Sequence, residues 1–101
     1  MRRAELKQLV ATTAEARLEF LRSQPYAQLA QLPSHGSDTI AGTKAVVATY
    51  RDDIGAGRLR IVVQAVLPGW LGSAFIRPYG FTVDPGGSIA TLSEEALWDF
   101  T

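Results

Sequence analysis

The stretch RLRIVVQAVL, residues 58–67, alternates Leu59, Ile61, Val63, Ala65 and Leu67 with Arg58, Arg60, Val62, Gln64 and Val66. Successive side chains of a strand point to opposite faces, so the first five share one wholly aliphatic face. A face of that length has to be covered by a core. The other face mixes arginine and glutamine with valine, which suits water or a partner. A strand with one covered and one mixed face belongs to an antiparallel sheet.

Working outward, DDIGAG (52–57) is a turn, and residues 39–51 before it form a strand rich in Val, Thr and Ala. That strand has Val46, Ala48 and Tyr50 on one face and Ala45 and Val47 on the other. On the other side, LPGWLGS (67–73) is a turn into a strand over 74–83, with Phe75, Arg77, Tyr79, Phe81 and Val83 on one face. Pro78 in this strand requires an edge position or a bulge, and Gly80 a bend or a close approach. DPGG (84–87) is a turn in which Gly86 supplies the positive φ of type II, and a short strand follows over 88–92. Ser93 then caps a short helix, with Glu94 and Glu95 at its positive end and Leu92 stapled to Leu97.

Residues 3–22 contain neither Gly nor Pro, and Leu6, Leu9, Val10, Thr13, Ala16, Phe20 and Leu21 fall in one arc at helical periodicity. Arg17 lies in the same arc, its stem expected on apolar surface and its guanidinium in water, the alternative being a buried cation that awaits a carboxylate or a ligand. Pro25 ends this helix and opens a second short turn with Leu29 and Leu32 inward, and LPSHGSD (32–38) reads as a loop. The fold class is therefore α+β: a long N-terminal helix packed on a curved four-stranded antiparallel meander, with a short C-terminal helix. This order of elements is similar in outline to cystatin-like and NTF2-like folds. No motif of either group occurs, so no functional residue is carried over.

A chain of 101 residues with 47% hydrophobic residues suffices for one domain, 1–101, with one core. The absence of cysteine excludes thiol catalysis, Cys-ligated zinc and disulfides. Ten basic residues balance ten acidic ones, which argues against a nucleic-acid partner and against an anionic membrane surface. Charged residues interrupt the N-terminal stretch where a secretion signal would be apolar, and no apolar run is long enough to span a bilayer. A soluble cytoplasmic protein is the expectation.

Chemical motifs are sparse. SHGSD places Ser34, His35 and Asp38 together, but a catalytic triad is a spatial arrangement drawn from distant segments, and neighbouring loop residues rarely form it. One histidine without cysteine is poor material for a transition-metal site, and Asp52 with Asp53 suits a turn. GAGR (55–58) precedes a strand and lacks the helix N-terminus that holds phosphate. No catalytic residue, metal or cofactor is assigned.

What remains is a surface. Tyr50, Asp52, Arg60, Trp70, Arg77 and Tyr79 are the candidates for a ligand pocket at the open end of the curved sheet. Val62, Gln64 and Val66 are the candidates for an interface on the outward face. The expected function is a non-catalytic protein-interaction module that binds an unknown partner or itself, through the outward face or an edge strand. The alternative is a pocket that binds or hydrolyses a small molecule. Between them stands a structural question: whether Arg77 and Tyr79 point into a pocket, or a bulge at Pro78 turns Arg77 out to solvent.

Overall fold

A computed structural model describes residues 2–69, 74–93 and 97. Helix α1 (Arg3–Arg22) and a single turn α2 (Tyr26–Ala30) precede strands β1 (His35–Thr39), β2 (Val46–Gly55), β3 (Arg58–Pro68), β4 (Ala74–Val83) and β5 (Ile89–Thr91). The strands form one antiparallel meander in the order β1-β2-β3-β4-β5, one strand more than expected. No helix among the described residues is long and apolar enough to cross a membrane.

The additional strand is β1, whose sequence HGSDT reads as loop. It forms because its backbone pairs with β2 from His35↔Tyr50 to Thr39↔Val46, while its side chains stay largely exposed. The strand expected over 39–51 is therefore broken. Gly42 takes φ +76°, and the Thr43 hydroxyl donates to the Ile40 carbonyl at 2.8 Å and accepts from the Ala45 N–H at 3.1 Å. These bonds close the turn between β1 and β2.

The β2–β3 connection is a two-residue loop, Ala56 and Gly57, flanked by the pair Gly55↔Arg58. Both loop residues have positive φ, 55° and 76°, which is the type I′ geometry that matches strand twist. In the β4–β5 hairpin the positive φ falls on Gly87, at 89°, and not on Gly86. Gly87 N–H donates to Asp84 O at 2.9 Å and Asp84 N–H to Ser88 O at 3.1 Å. That is a type I turn followed by a left-handed residue, the usual three-residue hairpin loop, in place of the expected type II turn.

The aliphatic face of β3 is the core, as its alternation requires. Leu59, Ile61, Val63, Ala65 and Leu67 are buried with Val47, Phe81 and Val83 under Val10, Ala14, Leu21 and Leu29. The buried stripe of α1 is rotated from the expected arc: Ala14 is enclosed, whereas Phe20 is 61% exposed. A small residue lets the helix axis approach the sheet there, and Phe20 falls beyond that contact line.

The outward face is covered as well. Val62 is fully buried and Gln64 is 7% exposed. The cover near them comes from the C-terminal segment. A Cβ at Gly80, which pairs with Val62, would stand 2.9 Å from Leu97 Cδ2 and 3.0 Å from Leu92 Cδ1. Leu97 N–H donates to Ser93 O at 3.0 Å, the spacing of one helical turn. The rest of the expected C-terminal helix lies outside the described residues.

Candidate functional site

The registers divide the expected pocket residues between two faces. Tyr50, Asp52 and Arg60 lie with Val62, Gln64 and Val66 on the outward face, whereas Arg77 and Tyr79 lie on the face that carries α1. Trp70 lies outside the described residues. The sheet itself keeps the two groups from meeting in one cavity.

Each outward residue has its own contacts. Tyr50 stacks on His35, with ring centroids 4.6 Å apart. Asp52 accepts from Arg60 directly across the strands at 2.7 Å. This is a cross-strand charge pair of the ordinary kind. Of the interface candidates, Val62 and Gln64 are occupied within the chain, and Val66 stays partly exposed.

The SHGSD segment is separated in the same way. His35 shares the outward face with Tyr50, while Asp38 points to the helix side, where it binds Arg17 at 2.7 Å. Arg17 also donates to the Thr49 hydroxyl at 3.3 Å. Its guanidinium is thus held by a carboxylate and a hydroxyl while the side chain stays 32% exposed, which combines the two expectations. Arg17, Asp38 and Thr49 border a hollow of about 260 Å³ whose apolar wall is Leu21, Leu32 and Pro33. Among the described residues no three His, Asp or Glu side chains converge in the manner of a metal site.

The second hollow decides the position of Arg77 and Tyr79. It measures about 380 Å³ and is lined by consecutive residues 75–79 together with Leu92 and Leu97. Consecutive residues point to alternate faces, so a hollow that touches all of them lies against the backbone edge of the strand.

The edge is open there for a reason that can be read from hydrogen bonds. Leu92 N–H donates to Gly80 O at 3.2 Å, so the even residues of β4 direct their backbone groups away from β3. β5 pairs with β4 only from Phe81↔Thr91 to Val83↔Ile89. Among the described residues, nothing pairs with the N–H groups of Ala74 and Ile76 or the carbonyls of Ala74, Ile76 and Pro78. Pro78 pairs with Gln64 in the β3–β4 register, at a position whose missing N–H would face off the sheet. β4 pairs with β3 without a register shift, so Pro78 marks an edge and not a bulge.

Arg77 therefore keeps the helix-side orientation and is exposed at the rim, its guanidinium 5.8 Å from the Tyr79 ring centroid. The Tyr79 hydroxyl donates to Glu15 Oε1 of α1 at 3.2 Å. Burial, and then the Glu15 carboxylate, push the Tyr79 phenol above its ordinary value. About two turns nearer the N-terminus of α1, Lys7 lies over the Phe75 ring at 5.5 Å. Arg3, Lys7, Ala74 and Phe75 enclose a third hollow of about 270 Å³ that shares Phe75 with the edge hollow.

Arg3, Lys7 and Ile76 were not among the residues singled out from sequence. The signal present is the four-residue spacing of Arg3, Lys7, Ala11 and Glu15, one ridge of a helix. Comparison with protein-family models, curated proteins and solved structures returned no match.

Proposed function

We propose that the chain is a non-catalytic protein-interaction module that takes up an extended segment along the open edge of β4. The observation that carries this reading is the row of backbone groups at Ala74, Ile76 and Pro78 that have no partner among the described residues, set in a hollow beside an Ile76 side chain that is 38% exposed. Strand addition supplies such groups with partners, and alternate side chains of the added strand supply specificity. Residues 74–79 offer about 20 Å of edge at ~3.3 Å per residue.

Pairing of β4 with a second copy of itself is disfavoured by charge. A two-fold antiparallel pairing about Ile76 sets Arg77 of one copy opposite Phe75 of the other, beside the copy's Lys7. The outward face offers less to a partner, because Val62 and Gln64 are buried in the single chain. A partner other than self is therefore the favoured reading.

The test uses Ile76→Pro. The N–H it removes faces off the sheet, as the vacancy at Pro78 already does, so the fold is retained. A random twelve-residue peptide library displayed on phage should yield binders to the wild type that are lost on Ile76→Pro, with the thermal midpoint of the variant little changed. Binders that ignore Ile76→Pro would refute the edge as the docking surface.

A second reading, a small-molecule pocket, rests on the hollow beside Arg17 and Thr49. It ranks behind because the cation there is already paired with Asp38. A metabolite that binds this hollow raises stability by about 2.7 kcal/mol at one hundred times its Kd, which a thermal-shift screen reads directly.

A further inference from the structure

The two sides of the β4 edge differ in chemistry, and the difference specifies what the edge takes. This inference rests on the edge reading above. On the helix side the rim carries Arg3 and Lys7 around the ring of Phe75, and Arg77 further along β4 over the ring of Tyr79, all three exposed. Glu15, on the same ridge of α1 as Arg3 and Lys7, accepts the Tyr79 hydroxyl. On the outward side the hollow is bounded by Ile76, Pro78, Leu92 and Leu97, which are apolar.

A strand added to β4 sends successive side chains alternately to these two sides. From this we infer that the partner segment alternates acidic and apolar residues, with its carboxylates toward Arg3, Lys7 and Arg77 and its apolar side chains toward Ile76 and Leu97. The pattern follows from the pleat. A carboxylate on the helix side enters the hollow between Arg3 and Lys7, where the Phe75 ring displaces water from one side of the pair. An aliphatic side chain on the other side covers Ile76, a large hydrophobic residue of β4 that is 38% exposed. A uniformly acidic segment would leave Ile76 and Leu97 facing charge, and a uniformly apolar one would leave three cations beside uncharged surface. The alternation fixes which residues of the segment face each side, since a slip of one residue exchanges them. The basic rim also explains how the edge avoids pairing with copies of itself: inward-facing like charges oppose that pairing.

The experiment measures fluorescence anisotropy of three labelled eight-residue peptides, (Glu-Val)4, (Thr-Val)4 and (Lys-Val)4, against the wild type, Ile76→Pro and the double variant Lys7→Glu with Arg77→Gln. The expected result is binding of the acidic peptide about tenfold tighter than the neutral one, from three partly exposed charge contacts. The basic peptide should bind weakest. The preference should shrink in 1 M salt and vanish in the double variant, whose rim is left with no net charge, while circular dichroism confirms that each variant is folded. Equal binding of all three peptides, still abolished by Ile76→Pro, would overturn the acidic preference and leave the edge reading standing. Binding of no peptide, or binding indifferent to Ile76→Pro, would overturn both.

Discussion

Gly80→Ala is expected to destabilise the fold, against the usual direction for this substitution. At a strand position with ordinary φ, alanine for glycine normally stabilises by about 0.4–1 kcal/mol, because it restricts the unfolded chain. At Gly80 the added methyl would stand 2.8 Å from Ile61 O, 2.9 Å from Leu97 Cδ2 and 3.0 Å from Leu92 Cδ1. The two leucines can yield by rotating. Ile61 O cannot, because Ile61 pairs with Phe81 in the β3–β4 ladder, and moving it parts the two central strands. Overpacking of this kind costs about 1–3 kcal/mol, which lowers the thermal midpoint by roughly 4–8 °C per kcal/mol in a domain of this size. Urea denaturation with a fixed m-value measures the loss. Leu97, 8% exposed, provides the internal control: Leu97→Ala removes one of the three obstructions, so Gly80→Ala should cost at least ~0.5 kcal/mol less in that background. A neutral or stabilising Gly80→Ala, or strict additivity with Leu97→Ala, would refute the packing of the C-terminal segment on the outward face.

Three further outcomes follow from local geometry. Ala56 holds φ 55° in the type I′ loop, so Ala56→Asn should stabilise by about 0.5–1 kcal/mol, visible as a rise of several degrees in the thermal midpoint. Tyr79 ionises above the ordinary tyrosine value, since burial and Glu15 both oppose its anion. Its raised value means that its contribution to stability is complete below the unfolded value near 10 and is lost as pH rises through the folded one. Ultraviolet titration should show the Tyr79 phenol titrating late, moved earlier by Glu15→Gln and later by Arg77→Gln. Asp38→Asn, by contrast, removes the partner of Arg17 at a site where Asp38 is largely exposed, so denaturation should register less than about 1 kcal/mol.

The strands that build the core are legible because their burial is one-sided and periodic. Residues 58–67 announce the core face of β3 outright, and Pro78 announces an edge or a bulge, between which the unshifted β3–β4 register decides. β1 is invisible by the same logic: HGSDT buries almost nothing, and its strand conformation comes from backbone pairing with β2. The burial of Val62 and Gln64 is also beyond local pattern, since Leu92 and Leu97, which reach that face, come from the end of the chain. For the site, the shared face of Arg77 and Tyr79 follows from period two. Their separation from Tyr50, Asp52 and Arg60 does not, because register between strands is needed to say which faces align. The basic rim depends on where α1 crosses the sheet, a crossing fixed by Ala14 and Val10. The small side chain of Ala14 gives it no weight in a hydrophobicity pattern, and the expected stripe was rotated accordingly.

Amide hydrogen exchange along β4, followed residue by residue by NMR, tests the open edge most directly. Phe75, Arg77 and Tyr79 direct their N–H groups at β3 and should exchange slowly. Ala74 and Ile76 direct theirs off the sheet and should exchange fast in the free protein, and Ile76 should become protected when the acidic alternating peptide is added. A slowly exchanging Ile76 amide in the free protein would contradict the account, because the edge would then already be paired.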